Sequence, residues 1–137
     1  MKKILAYIAF SFTAITSYAT APLWMRDVQI SPDGTEIVFC YKGDIYKVPT
    51  EGGAATQLTT QDTYECTPVW SPDGKQIAFA SDRNGNFDIF VMPANGGTAR
   101  RLTTHSTNEV PATFTPDGKY ILFSASVSYT HLRAHET

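Results

Sequence analysis

The sequence has little of what several function classes require. Two cysteines among 137 residues allow one disulfide at most, and two cysteines alone do not make a metal site. Histidine is scarce too, and two of the three, His131 and His135, fall near the C-terminus. Residues 20–127 carry 8 Lys/Arg against 12 Asp/Glu, so the clustered basic footprint of a nucleic-acid binder is missing. No apolar run reaches the roughly 20 residues that cross a bilayer as a helix. There is no G-x-S-x-G elbow, H-E-x-x-H helix or G-x-x-x-x-G-K phosphate loop. These absences predict no catalytic, cofactor-binding or metal-ligating residue in this chain. What is present is 42% hydrophobic, enough to bury one modest core.

The first nineteen residues differ from the rest. Lys2 and Lys3 form a positive start, Ile4 to Ile15 is a short apolar stretch, and small residues follow at Ser17-Tyr18-Ala19 and Ala19-Thr20-Ala21. This is the pattern of a secretory signal peptide, and cleavage after Ala19 is favoured because the alternative leaves Pro22 at the new N-terminus. No cysteine follows the apolar stretch, so no lipid anchor is expected. The expected location is a periplasm, or the outside of the cell. Export makes Cys40 and Cys66 relevant to disulfide chemistry, yet the repeats align Cys40 with Ala80 and Ser124 and Cys66 with Val110. Two small buried residues is the favoured reading over a bridge.

Repetition is the main fact about the chain. The turn SPDG stands at Ser31–Gly34 and Ser71–Gly74, and TPDG at Thr115–Gly118, at spacings of 40 and 44 residues. A matched strand follows each turn: Glu36–Cys40, Gln76–Ala80 and Tyr120–Ser124. GG recurs at Gly52-Gly53 and Gly96-Gly97, and LTT at Leu58–Thr60 and Leu102–Thr104, both 44 apart. The four-residue discrepancy places a tight hairpin at Lys42-Gly43 where the second unit has the longer loop Asp82–Asn86. Length variation confined to a loop is how structural repeats differ. A period of 40–45 residues with four short strands predicts an all-β fold of β-propeller blades, two complete and part of a third. In the central unit Ile77 and Phe79 alternate with Ala78 and Ala80, a bulky and a small face, each expected to pack on a neighbouring blade. A β-sandwich would not require such matched repeats.

The stretch WSPDGKQIAFASDRNGNFDIFVMPANGGTARRLTT resembles the WD-repeat-like Pro-Asp-Gly blade of TolB-type propellers. It is also similar to the N-terminal propellers of tricorn-type serine peptidases and of prolyl-oligopeptidase relatives. The resemblance runs from about Trp24 to Ser124 and implies a fold that several functions share. The segment PLWMR enters the first blade directly after the leader, without the α/β domain that TolB would place first. That arrangement resembles an exported tricorn-like peptidase, and implies a propeller that guides or gates peptides toward a catalytic site elsewhere. The alternatives are a TolB-like propeller that binds periplasmic proteins, and the propeller of a prolyl-oligopeptidase-type hydrolase. A peptide or protein partner is implied in each case. The expected division is a leader over 1–19, blades over about 24–60, 65–104 and 109–127, and a foreign tail over 128–137, where neither a third strand nor a GG turn is legible.

Few residues invite a chemical reading. Glu65 and Glu109 occupy equivalent positions at the start of an innermost strand, where they could line a central channel. Capping, or a salt bridge to an arginine, is the favoured role. Asp82, Asn84, Asn86 and Asp88 alternate like calcium ligands, but Gly85 falls at the fourth position and Pro93 at the twelfth, so a hairpin connection is the better reading. His131 and His135 sit four apart without a third ligand. The SPDG segments suit type I turns, and three copies speak for architecture over catalysis.

Overall fold

The computed structural model describes residues 24–126 and the backbone of residues 133–136. All regular structure among them is strand: β1 (Met25–Ile30), β2 (Glu36–Tyr41), β3 (Asp44–Pro49), β4 (Thr56–Gln57), β5 (Glu65–Trp70), β6 (Gln76–Ser81), β7 (Asp88–Pro93), β8 (Arg100–Arg101), β9 (Glu109–Phe114), β10 (Tyr120–Ala125) and β11 (Arg133–Glu136). They form three antiparallel meanders, β1-β2-β3-β4, β5-β6-β7-β8 and β9-β10-β11. These are propeller blades, so the all-β fold expected from the repeats is the fold observed. No helix among the described residues is long and apolar enough to cross a membrane. The leader Met1–Ala19 lies outside the described residues. Where the sequence shows no strand pattern, Arg133–Glu136 pairs with Tyr120–Phe123 as β11. An edge strand joins its ladder through main-chain groups, which any extended segment supplies.

Each blade is opened by the same turn. In the second blade Gly74 N–H donates to the Ser71 carbonyl (2.9 Å) and Gln76 N–H donates to Ser71 Oγ (2.9 Å). Ser71 Oγ–H in turn donates to Asp73 Oδ1 (2.6 Å), which also accepts from Lys75 N–H (3.0 Å). Ser31 and Asp33 repeat this in the first blade, and Thr115 and Asp117 in the third. Pro presets the first corner, and the glycine takes the left-handed backbone, with φ 75, 68 and 70 at Gly34, Gly74 and Gly118. Successive turns stack: a side chain on Gly74 would sit 3.8 Å from Pro32, and one on Gly118 would sit 3.7 Å from Pro72.

The two faces of the central blade explain its alternating sizes. Ile77, Phe79, Phe90 and Met92 pack on Val38, Cys40 and Ile45 of the first blade. On the other face Val69, Ala78, Ile89 and Val91 pack on Phe114, Ile121 and Phe123 of the third. Ile77, Ala78, Phe79 and Ala80 all have 0% exposure, which a sheet with one wet face would not allow. Small side chains on one blade thus receive bulky ones from the next, twice in succession.

A bulge bends each inner strand. The register shifts between Arg26 and Gln29 in β1, and between Cys66 and Val69 in β5. Asp27 and Thr67 occupy equivalent places there, both with φ 51. For β-branched Thr67 this is strained by about 1–2 kcal/mol. The strained residues meet: Thr67 N–H donates to Asp27 Oδ2 (3.1 Å), tying the bulges of adjacent blades together.

Candidate functional site

The densest polar cluster lies at the opposite end of the blades from the PDG turns, where β5 starts and β6 ends. Glu65, the first residue of β5, pairs in register with Ser81, the last of β6. Its side chain has 0% exposure, and Oε1 alone accepts three hydrogen bonds: from Thr63 Oγ1 (2.7 Å), Ser81 Oγ (2.9 Å) and Arg83 Nη2 (3.1 Å). Arg83 also donates through Nε to Ser81 Oγ (3.0 Å), and its guanidinium lies 4.4 Å from the centroid of the Phe90 ring and 5.7 Å from that of Phe79. The cation therefore rests on the stacked Phe79–Phe90 pair (5.9 Å) while its edge holds the carboxylate. Its outer side faces a cleft lined by Thr59, Thr60, Gln61 and Thr98.

Neighbouring carboxylates follow related rules. Asp88 pairs in register with Ser81, is fully buried, and holds Arg101 Nη2 at 2.6 Å. Its repeat partner Asp44 accepts from Gln57 Nε2 (3.0 Å) and Thr59 Oγ1 (3.1 Å). Partial burial raises the Asp44 carboxyl above its ordinary value; the Thr59 hydrogen bond opposes this and the Glu65 charge adds to it. The threonines of the LTT motif are structural: Thr59 Oγ1 accepts from Ile45 N–H and Thr103 Oγ1 from Ile89 N–H, both at 2.9 Å.

Glu109 has 6% exposure and, like Glu65, opens its strand. The two glutamates also share a main-chain role. Glu65 N–H donates to the Gly43 carbonyl of the preceding blade, and Glu109 N–H to the Phe87 carbonyl, both at 2.7 Å. The inner strands of the second and third blades are thus pinned by their first residues to the hairpin of the blade before.

Beside these pins, Trp24, Arg26, Tyr41, Lys42 and Tyr64 surround a cleft of about 290 Å³ with Cys40 at its wall. Cys40 and Cys66 are both free thiols and belong to one hydrophobic cluster across the first two blades. Burial pushes both thiols above their ordinary values, Cys40 well above, and the charge of Asp27 adds to the effect on each, while a hydrogen bond with Thr67 opposes it at Cys66. Protonated, buried thiols are poor nucleophiles.

The remaining candidates disperse. Asp82 Oδ1 accepts from Tyr64 N–H (2.8 Å), Asn86 Nδ2 donates to the His105 and Thr107 carbonyls, and Asp88 is held by Arg101. These side chains anchor a hairpin and do not converge on a point. Among the described residues no group of three or more His, Cys, Asp or Glu is placed to hold a metal ion. His105 Nδ1 lies 3.1 Å from Thr107 Oγ1, an exposed contact within one loop. His131 lies outside the described residues, as does the ring of His135. Arg83, Arg101 and Asp27 are the residues that sequence reasoning does not single out, and it reads Asp88 only as part of a hairpin connection. The 44-residue offset that pairs Asp44 with Asp88 and Thr59 with Thr103 was the available signal for part of this.

Blades with this turn, this two-faced packing and pinned inner strands define a β-propeller module. The pattern of the tricorn protease N-terminal beta propeller domain matches residues 22–137, and the chain belongs to that family. It is 32% identical over 96 residues to the uncharacterized peptidase YuxL of Bacillus subtilis, a match spanning 63% of this chain and 13% of that protein. Its fold superposes on TolB from Acinetobacter baumannii with a TM-score of 0.63 at 27% identity, covering 80% of this chain and 28% of that one. It superposes on the tricorn protease with a TM-score of 0.61 at 17% identity, covering 80% of this chain and 12% of that one. The chain thus spans a small part of each of these relatives.

Proposed function

We propose that this chain is the N-terminal propeller portion of an exported tricorn-like serine peptidase, in which it guides or gates peptides and leaves the bond cleavage to a separate domain. The observation that carries the reading is the family match over residues 22–137, joined to buried ion pairs, Glu65–Arg83 and Asp88–Arg101, that tie the strands of the central blade to one another. The leader pattern of residues 1–19 supports export to a periplasm. A peptide or protein is the partner we infer, because walls of exposed loops and strand ends contact chains more readily than they enclose a small ligand. Within this reading Glu65 and Glu109 anchor neighbouring blades; a channel-lining role is the alternative for them.

The gene beyond codon 127 tests the proposal. Further PDG turns every 40–44 residues, followed by a PDZ-like domain and a serine-peptidase core, are the expected result. A G-x-S-x-G α/β-hydrolase domain would favour the prolyl-oligopeptidase reading, and an end after six or seven blades the TolB-like one; either overturns the proposal. The same reading frame tests whether residues 128–137 are foreign to the gene.

A further inference from the structure

The two junctions between blades differ at the end opposite the PDG turns, and one hairpin makes the difference. Between the second and third blades the longer loop lies across the segment that leads into the third. Phe87 N–H donates to Asn108 Oδ1 (3.0 Å), and Asn86 Nδ2 donates to the His105 and Thr107 carbonyls (3.0 and 2.9 Å). Between the first and second blades the hairpin is tight. The Gly43 carbonyl takes the place of the Phe87 carbonyl as the acceptor for the next inner strand, and no side chain follows it across. A Cβ at Gly43 would already stand 3.2 Å from the Tyr64 ring. The space left over is the cleft of about 290 Å³. Trp24, Arg26 and Lys42 come to it from the first blade and Tyr64 from the start of the second.

The cleft holds charge as well as room. The Arg26 guanidinium lies 5.9 Å from the centroid of the Trp24 ring, and Lys42 Nζ lies 5.3 Å from that of Tyr41. Among the described residues Lys47, Arg83 and Arg101 each hold a carboxylate, whereas Arg26 and Lys42 hold none. Two carboxylates adjoin the cleft, and both are engaged by main-chain groups: Asp27 by Thr67 N–H and Asp82 by Tyr64 N–H. The repeat shows that these cations are not part of the blade itself, since the equivalents of Arg26 are Cys66 and Val110. Trp24 (φ 88) and Lys42 (φ 53) also hold left-handed backbone, and strain of this kind concentrates at ligand sites.

We infer that this cleft binds a carboxylate carried beside an aromatic ring, the chemistry of an acidic peptide segment. Arg26 and Lys42 hold the carboxylate by charge-assisted hydrogen bonds, and Trp24 and Tyr64 receive the ring. The volume stands at the small end of ligand pockets, about 300–1,000 Å³, which suits a short anchor of a longer chain. The inference rests on the chemistry of the cleft and is independent of the peptidase reading.

NMR titration of the full chain, followed at the amides of Trp24, Arg26, Lys42 and Tyr64, tests it with N-acetylated dipeptides. Acetyl-glutamyl-phenylalanine amide offers a side-chain carboxylate, acetyl-glutaminyl-phenylalanine a terminal one, and acetyl-glutaminyl-phenylalanine amide none. A carboxylate probe should shift these amides, and which of the two does so tells a side chain from a chain end. The neutral probe should bind at least about tenfold more weakly. Arg26→Gln and Lys42→Asn each remove one charge at an exposed residue, asparagine tolerates the left-handed backbone, and circular dichroism verifies the fold. Each variant should weaken binding by about tenfold, whereas Lys75→Gln, which removes an exposed cation beside the Ser71–Gly74 turn, should leave it unchanged. Silence with both carboxylate probes, equal binding of the neutral one, undiminished binding by either cleft variant, or an equal loss in Lys75→Gln would each overturn the inference.

Discussion

Replacing Glu65 probes the polar cluster that joins two strands and a loop of the central blade. Glu65→Ala removes a fully buried carboxylate and leaves the Arg83 guanidinium, only 16% exposed, with Ser81 and an aromatic pair as its surroundings. Stranding one member of a buried ion pair costs about 3–5 kcal/mol, a large share of the 5–15 kcal/mol that holds a typical domain together. Glu65→Gln keeps the shape and an acceptor for Thr63 and Ser81 but exchanges charged for neutral hydrogen bonds, at a cost of about 1–2 kcal/mol. Arg83→Met keeps the stem on Phe79 and Phe90 while removing the charge. The double variant Glu65→Gln/Arg83→Met should then lose about 1–3 kcal/mol less than the sum of its parts. Urea unfolding followed by circular dichroism at a fixed protein concentration measures all four corners of the cycle. Additivity within about 0.5 kcal/mol would refute the claim that the two residues act as a pair.

Phe79→Ala should cost about 3–5 kcal/mol by the same unfolding assay, since its ring is wholly buried between two blades; a loss below about 1 kcal/mol would mean that the blades do not pack there. Hydroxyl hydrogen bonds from Ser31, Ser71 and Thr115, reinforced by N–H groups, hold Asp33, Asp73 and Asp117 below the ordinary carboxylate value. Because the folded value is the lower one, the stabilisation is complete above the unfolded value of about 3.9 and is lost as pH falls through the folded value. A carboxylate NMR titration should place all three below that reference, and titration at or above it would contradict the turn geometry. Thr67→Asn, which tolerates the left-handed backbone, should be neutral or stabilise by up to about 1 kcal/mol, whereas Thr67→Pro loses the N–H that binds Asp27 and should cost about 3 kcal/mol. A well-tolerated proline would show that the bulge does not need this backbone.

The blades are legible in the sequence because their determinants are local. A turn such as Ser71–Gly74 is written in four residues, and the strand Gln76–Ser81 shows its two faces by alternation of size. The Lys42-Gly43 hairpin could be placed by counting, since the offset changes from 40 to 44 across it. The contacts between blades are less legible. Nothing local tells Glu65 to find Arg83 eighteen residues later, and Ser81-Asp82-Arg83 reads as ordinary loop chemistry until the sheet aligns Ser81 with the glutamate. The left-handed backbone at Thr67 is hidden for a different reason. Threonine disfavours it, and only the bulge imposes it. In the third blade Pro111 holds the equivalent place, so even the repeat gives no pattern to follow.

The most direct test of the account is whether this chain cleaves peptides. On the proposed reading bond cleavage belongs to a separate domain, and the buried Glu65–Arg83 and Asp88–Arg101 pairs tie strands of one blade, so the purified chain should hydrolyse no peptide substrate and should leave a serine-reactive fluorophosphonate unincorporated. Titratable hydrolysis, with stoichiometric labelling of a residue between 20 and 127, would contradict it.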